Sequence, residues 1–118
     1  MYPRGRGDQE STNQDKPKKV VYHPEAFEEF IEAAEYYEVC SPGLGNRFID
    51  SIEKGVSHLL QNAFLYKPDK LGRRKYIIKK FPYLLIYKIK DNCIFILAAA
   101  HAARKPGYWK YREVQESF

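Results

Sequence analysis

The fold is decided by residues 83–101, YLLIYKIKDNCIFILAAAH. Two runs rich in Ile, Leu, Tyr and Phe, the residues that favour strands, are separated by Asp91-Asn92, a pair suited to a two-residue hairpin turn. This pattern predicts strands at Tyr83 to Lys90 and at Cys93 to about His101. A further strand over Arg73 to Lys80, set off by Phe81-Pro82, completes a meander of three antiparallel strands.

The preceding residues predict a short strand and two helices. Lys18 to Tyr22 indicates the strand. His23-Pro24-Glu25 is typical of a helix start, and apolar residues at three- and four-residue spacing predict helices over 24–39 and 44–61. The turn Ser41-Pro42-Gly43 separates the two helices, which therefore form a hairpin.

A meander alone would leave one apolar face in water, so we expect the helical hairpin to cover that face and the first strand to join the sheet. The predicted fold is α+β, two-layer, in the order β-α-α-β-β-β, with the helical hairpin packed on a mostly antiparallel four-stranded sheet. Residues 1–17 are polar and are expected to form a flexible N-terminal tail, and residues 18–118 a single domain.

Composition narrows the possible classes of protein. The chain has 118 residues, of which 44% are hydrophobic and 30% charged, as in an ordinary globular domain. No stretch is long enough for a membrane span and no secretory leader opens the chain, so a cytoplasmic protein without a membrane partner is expected. Cys40 and Cys93 are far apart and are interpreted as buried apolar residues. No metal-ligand spacing or phosphate-binding loop is present, so no metal or cofactor is expected.

Charge is distributed unevenly along the chain, whose formal net charge is +5. Residues 25–38 contain six Glu and no Lys or Arg, whereas residues 66–112 contain nine Lys, four Arg and only two Asp. We interpret the basic part as a surface for an anionic partner. The alternative is that both charged faces only keep the protein in solution.

The candidate site combines the basic strands with the segment His101-Ala102-Ala103-Arg104-Lys105-Pro106-Gly107-Tyr108-Trp109. In a metal-independent reaction His101 would act as general acid or base, with Tyr108 as its partner, while cations stabilise phosphate charge. The candidate catalytic residues are Arg74, Lys80, His101, Arg104 and Tyr108. The candidate nucleic-acid or target-binding residues are Arg73, Lys79, Lys88, Lys105, Trp109 and Arg112. We expect these side chains to converge on one solvent-facing concavity.

Each of these assignments has a structural alternative. A histidine at a strand end more often hydrogen-bonds a turn than performs chemistry. Trp109 could stack on a base, but the interpretation that it caps the core is favoured. Tyr83 and Tyr87 share a strand face with apolar residues and are assigned to the core.

Four segments together resemble the RelE/ParE superfamily of toxins from bacterial type II toxin–antitoxin, or plasmid-stabilisation, modules. They are His23-Pro24-Glu25-Ala26, Pro42-Gly43-Leu44-Gly45 with Arg47-Phe48, Phe81-Pro82-Tyr83 with Ile86-Tyr87, and residues 101–109 quoted above. The resemblance covers about residues 20–112. It implies a growth-arresting toxin in a hetero-oligomer with a cognate antitoxin, which would dock on the helical hairpin and a sheet edge.

The resemblance leaves the target open. In the RelE-like branch the toxin is an endoribonuclease that cuts mRNA on the ribosome, and this activity is given slight preference. The ribonuclease branch tends to carry arginines where this chain has Leu84 and Ala103. In the ParE-like branch the toxin inhibits DNA gyrase by binding and needs no catalytic residue. A third possibility is an inactive relative that retains only partner binding.

Overall fold

A computed structural model describes residues 16–112 of the chain. The elements are β1 (Lys19–Tyr22), α1 (Pro24–Cys40), α2 (Leu44–Asn62), a 3₁₀ turn (Ala63–Leu65), β2 (Arg74–Ile77), β3 (Tyr83–Lys90) and β4 (Cys93–His101). Most of the expected flexible tail lies outside the described residues. The predicted order of elements is confirmed, and the bounds of β3 and β4 agree with those predicted.

The four strands form one sheet in the order β1-β4-β3-β2. β1 runs parallel to β4, and the other two pairs are antiparallel. Asp91 and Asn92 have φ values of 52° and 64°, the left-handed backbone that the predicted hairpin turn requires. The mostly antiparallel four-stranded sheet is therefore confirmed.

The two helices cover one face of the sheet, and a side chain caps the start of each helix. The Nδ1 of His23 accepts a hydrogen bond of 3.1 Å from the amide of Glu25, and Pro24 occupies the first helical turn. Gly43 joins the helices at a φ of +87°, and the carboxylate of Glu38 accepts hydrogen bonds from the amides of Gly43 and Gly45. These contacts satisfy backbone donors that a helix start leaves free.

The main core lies between the helices and this face of the sheet. Among its fully buried side chains are Phe48, Ile52 and Leu59 from α2 and Leu85 and Tyr87 from β3. The hydroxyl of Tyr87 donates a 2.7 Å hydrogen bond to the carbonyl of Ala63. The assignment of Tyr83 and Tyr87 to the core is confirmed, because Tyr83 also packs against this cluster.

The opposite face of the sheet is covered by residues 102–112, which we call the C-terminal segment. Trp109 is only 4% exposed and packs with Ile86, Ala98 and Ala100, and Tyr108 lies beside it. The favoured interpretation, that Trp109 caps the core, is confirmed. The sheet therefore has apolar contacts on both faces, with helices on one side and residues 108–109 on the other.

Apart from shifts of one residue at element ends, the structure differs from the sequence prediction mainly in β2 and Cys40. β2 ends at Ile77 rather than Lys80, because the chain turns at residues 78–82 and Lys80 has a φ of +72°. β1 begins at Lys19 rather than Lys18. Cys40, expected to be buried, is exposed at the end of α1, whereas Cys93 is buried as expected. Within residues 16–112 neither helix is long and apolar enough to cross a bilayer.

Candidate target-binding surface

The C-terminal segment is fixed to the protein by an ion pair. Arg112 Nη1 and Nη2 donate hydrogen bonds of 3.0 and 2.9 Å to the two carboxylate oxygens of Glu29 on α1. Arg112 Nη1 also donates to the carbonyl of Leu97 at 2.8 Å, and Glu25 lies 3.5 Å from Nη2. Burial by itself lowers the pKa of Arg112. The hydrogen bonds to Glu29 raise the pKa by more than burial lowers it, so the guanidinium remains charged.

The Glu29–Arg112 pair closes a free edge of β4. β1 pairs with β4 only as far as Ile96, and a β-bulge leaves Leu97 without a partner on β3. Beyond that point Arg112 binds the carbonyl of Leu97, and Glu29 Oε1 accepts a 3.0 Å hydrogen bond from the amide of Ala99. Side chains therefore satisfy backbone groups that a neighbouring strand would otherwise pair with.

Tyr108 lies beneath two guanidinium groups. The Arg104 guanidinium is 3.7 Å and that of Arg112 is 5.2 Å from the centre of its ring. The hydroxyl is buried and makes no hydrogen bond with any residue in the described range. Burial, reinforced by the negative charge of Glu29, raises the pKa of this phenol well above its usual range. Tyr108 is thus a poor proton donor in this arrangement.

His101 lies at the end of β4 in a shallow depression of about 180 Å³ that it shares with Arg104. Its Nδ1 accepts a 3.0 Å hydrogen bond from the amide of Ala103, which assigns the ring proton of the neutral form to Nε2. Glu29 and Glu32 line the same depression, and Glu29 Oε2 is 3.9 Å from Arg104. Carboxylates at this place oppose the approach of a phosphate.

Arg74 faces the helical layer, where it binds backbone. Its Nη1 donates to the carbonyls of Phe64 and Tyr66, which fixes the chain after the 3₁₀ turn. Arg74 pairs with Tyr87 and His101 with Tyr83, four residues apart along β3, or about 13 Å along the strand. Lys80 lies in yet another place, in the β2–β3 turn beside α2.

The expected concavity is therefore not formed by the described residues. Arg74, Lys80 and His101 occupy three separate places, and Arg112, expected to bind the target, is buried in the Glu29–Arg112 pair. The physical reason is that strand alternation fixes which residues of a strand share a face. It does not fix where the side chains of the β2–β3 turn and of the C-terminal segment lie. Only His101, Arg104 and Tyr108 remain near one another.

A cationic cleft of about 340 Å³ does exist between β2 and the C-terminal segment. We call it the β2 cleft; it is lined by Asp69, Lys70, Arg73, Lys75, Pro106, Gly107, Trp109 and Lys110. Lys75 Nζ lies 5.7 Å from the centre of the Trp109 ring, and Arg73 Nε is 2.9 Å from Asp69. Hydrogen bonds from the Arg73 and Leu71 amides and from the Arg73 guanidinium outweigh desolvation and lower the pKa of Asp69.

The remaining basic residues lie outside the β2 cleft. Lys79 is exposed beside α2, Lys105 is exposed in the C-terminal segment, and Lys88 is half-buried on the face of the sheet opposite the helices. Sequence reasoning missed Lys70 as a member of a cationic site. It also missed Glu29 as the residue that holds Arg112 and the C-terminal segment in place. The glutamate spacing on α1 indicated an exposed stripe, and nothing in it distinguished Glu29 from its neighbours.

Comparison with known proteins agrees with this architecture. The family model described as the ParE toxin of the type II toxin-antitoxin system, parDE, matches residues 20–106. A structure of the chromosomal ParDE TA system from P. aeruginosa superposes with a TM-score of 0.63 at 20% identity, covering 70% of this chain and 94% of that one. No curated protein sequence matches the chain. The chain therefore belongs to the ParE toxin family of type II toxin–antitoxin systems, and a toxin of this kind has a cognate antitoxin as its partner.

Proposed function

We propose that this toxin arrests growth by binding DNA gyrase rather than by cutting mRNA. The observation that supports the proposal is the separation of the candidate catalytic groups, with Arg74 bound to backbone carbonyls and Tyr108 buried under Arg104. General acid–base cleavage needs its groups within hydrogen-bond reach of one reacting phosphate. Inhibition by binding needs only a complementary surface.

The β2 cleft is the surface best suited to such binding. Lys70, Lys75 and Lys110 are exposed around it and form no ion pair with any residue from 16 to 112. Trp109 and the ordered C-terminal segment make one wall rigid, so little conformational entropy is lost on binding. A cluster of unpaired cations on a rigid wall favours contact with an acidic surface of the target.

The antitoxin partner would occupy other surfaces of the toxin. Phe27, Ile31 and Tyr36 on α1 are exposed apolar residues next to the acidic stripe. They offer the helical hairpin as the docking surface for an antitoxin helix, as the resemblance implies. β2 is an edge strand of the sheet, so an extended antitoxin segment could pair with it and cover the β2 cleft.

One observation favours a second candidate function, ribosome-associated mRNA cleavage. His101 is exposed, its Nε2 is not used by the turn, and Arg104 lines the same depression. A histidine and an arginine in this arrangement suit general acid catalysis and phosphate stabilisation. Glu29 and Glu32 in the same depression weigh against it.

Two assays on the purified full-length toxin separate these functions. The gyrase mechanism predicts loss of supercoiling by purified gyrase and intact mRNA in a translating extract. The Lys75→Gln, Lys110→Gln double variant should require about tenfold more toxin for half inhibition, equivalent to about 1.4 kcal/mol. The control with the same charge change is Lys18→Gln, Lys19→Gln, at the opposite edge of the sheet. It should reach half inhibition of gyrase at the same concentration as the parent toxin.

The ribonuclease mechanism predicts the opposite pattern. mRNA would be cut at defined codon positions, gyrase would keep its activity, and His101→Ala with Arg104→Ala would abolish toxicity. That set of results would refute the gyrase proposal.

A further inference from the structure

A second cationic groove lies between α2 and the β2–β3 turn, on the helical side of the sheet. It consists of two adjoining cavities of about 300 and 340 Å³ that share Ser51, Lys54 and Lys80. Four cations and one acid line it: Arg47, Lys54, Lys79, Lys80 and Asp50. The net formal charge of these five side chains is +3, and the other polar residues of the lining are Ser51, His58 and Tyr76. We call it the α2 groove.

The cations of the α2 groove are not used by the fold. Arg47, Lys54, Lys79 and Lys80 are exposed, and none of their side chains forms an ion pair or hydrogen bond with any residue between 16 and 112. Two arginines elsewhere in the protein do have structural partners: Arg73 pairs with Asp69 and Arg112 with Glu29. A set of free, like charges around one groove raises the local potential and favours an anion.

The backbone of the groove is built to hold these charges close together. Gly55 forms its floor, because a Cβ there would lie 2.9 Å from the ring of Tyr76 and 3.0 Å from Ile78. The lack of a side chain lets the sheet approach α2 closely. On the opposite wall Lys80 has a φ of +72°, a left-handed conformation that is uncommon for lysine. Such a residue in a turn often marks a functional position.

The spacing of the groove fits a strand of nucleic acid. Arg47, Ser51 and Lys54 stand at positions i, i+4 and i+7 of α2, so they form a straight row about 10 Å long. Duplex DNA presents one phosphate per strand for about every 3.4 Å of its axis and is stiff over this length. Two cations and a hydroxyl in a straight row can therefore contact successive phosphates of one strand.

We propose that the α2 groove binds the phosphodiester backbone of duplex DNA, without base specificity. Arg47 and Lys54 would contact phosphates along one side, Ser51 would donate a hydrogen bond, and Lys79 and Lys80 would contact the strand from the β2–β3 turn. Phosphate contacts of this kind give affinity but carry no sequence information. The proposal goes beyond the gyrase assignment and does not depend on it, because it concerns naked DNA.

The test measures binding of the full-length toxin to a short fluorescent duplex of arbitrary sequence by anisotropy, over a series of salt concentrations. Loss of two phosphate contacts in Lys54→Gln, Lys80→Gln should weaken binding about 30-fold near 0.15 M salt and reduce the slope of log K against log salt by about 2. Arg47→Gln, Lys79→Gln is a second pair with the same expectation. Circular dichroism confirms that each variant is folded.

The control with an equal change of charge is Lys18→Gln, Lys19→Gln, whose lysines lie at the other edge of the sheet. Its affinity for the duplex should stay within about threefold of the parent. Equal loss in the control, or no binding by the parent at low salt, would overturn the proposal. Tighter, groove-dependent binding of single-stranded RNA or of poly-glutamate would also overturn it and assign the groove to that partner instead. None of these outcomes depends on gyrase inhibition.

Discussion

Arg112 and Glu29 form a bidentate ion pair that joins the C-terminal segment to α1 across the edge of β4. The arginine side chain is 4% exposed and the glutamate side chain 15%. Both side chains also bind the backbone of β4, at Leu97 and Ala99. The pair is therefore part of the sheet as well as a link between two segments.

Removal of one partner of this pair should strongly destabilise the protein. Arg112→Ala leaves the partly buried Glu29 with only the 3.9 Å contact to Arg104 as an ion pair and frees the carbonyl of Leu97, so we expect the free energy of unfolding to fall by about 3–5 kcal/mol. Urea denaturation measures the change. Arg73→Ala is the control, because its pair with Asp69 is partly exposed and such pairs contribute about 0–1 kcal/mol. Similar losses in both variants would show that the Glu29–Arg112 pair has no special role.

Trp109 should be the main apolar contact on the face of the sheet opposite the helices. Trp109→Ala exposes Ile86, Ala98 and Ala100, and we expect a loss of about 3–5 kcal/mol. Trp109→Phe, which keeps most of the apolar contact, should lose much less. The parent offers a direct optical check, since it contains a single tryptophan. In the native state its emission should lie at shorter wavelength than that of a tryptophan in water. On unfolding the emission should shift to longer wavelength.

Gly55 should not tolerate a side chain, although it lies within a helix. Alanine is favoured over glycine in helices by about 1 kcal/mol. Here the new methyl would lie 2.9 Å from the ring of Tyr76, so Gly55→Ala should instead destabilise the protein by about 1–3 kcal/mol. Ser57→Ala, at an exposed position on the same helix, is the control and should be neutral or slightly stabilising. A Gly55→Ala variant more stable than the parent would contradict the close approach of sheet and helix.

Alkaline pH should weaken the fold through Tyr87. Burial raises the pKa of its phenol to about 12, above the ordinary value of about 10 for tyrosine. The phenol is neutral in the native state, so the stability it contributes is fully present below pH 10 and is lost as pH rises from 10 towards about 12. Urea midpoints across this range should fall more steeply for the parent than for Tyr87→Phe. Equal slopes for the two proteins would show that Tyr87 ionises normally.

The sequence predicts most of the fold because its signals are local. The hairpin at Asp91-Asn92 and the start of α1 at Pro24 depend on a few adjacent residues, and the structure agrees with both. The end of β2 could not be predicted, since Lys79 and Lys80 are compatible with a strand. The turn there depends on the packing of Phe81 against the core rather than on the residues of the turn itself.

The site was much less predictable, for a physical reason. A periodic pattern places Arg74 on a face of β2, but it does not say which face the helices cover or which carbonyls lie within reach. A charge near the chain's end, such as Arg112, is equally compatible with a free surface cation and with a buried partner of Glu29. Long-range contacts decide between these roles, and one sequence carries no signal for them.

The two halves of the Glu29–Arg112 pair are 83 residues apart in the chain. During synthesis, α1 and all four strands therefore emerge before the edge of β4 can be closed. Until then the carbonyl of Leu97 lacks the hydrogen bond from Arg112 that it has in the folded protein, and this backbone group is free to pair with another chain. Closure of this part of the β4 edge therefore waits until Arg112 has been synthesised and has reached Glu29.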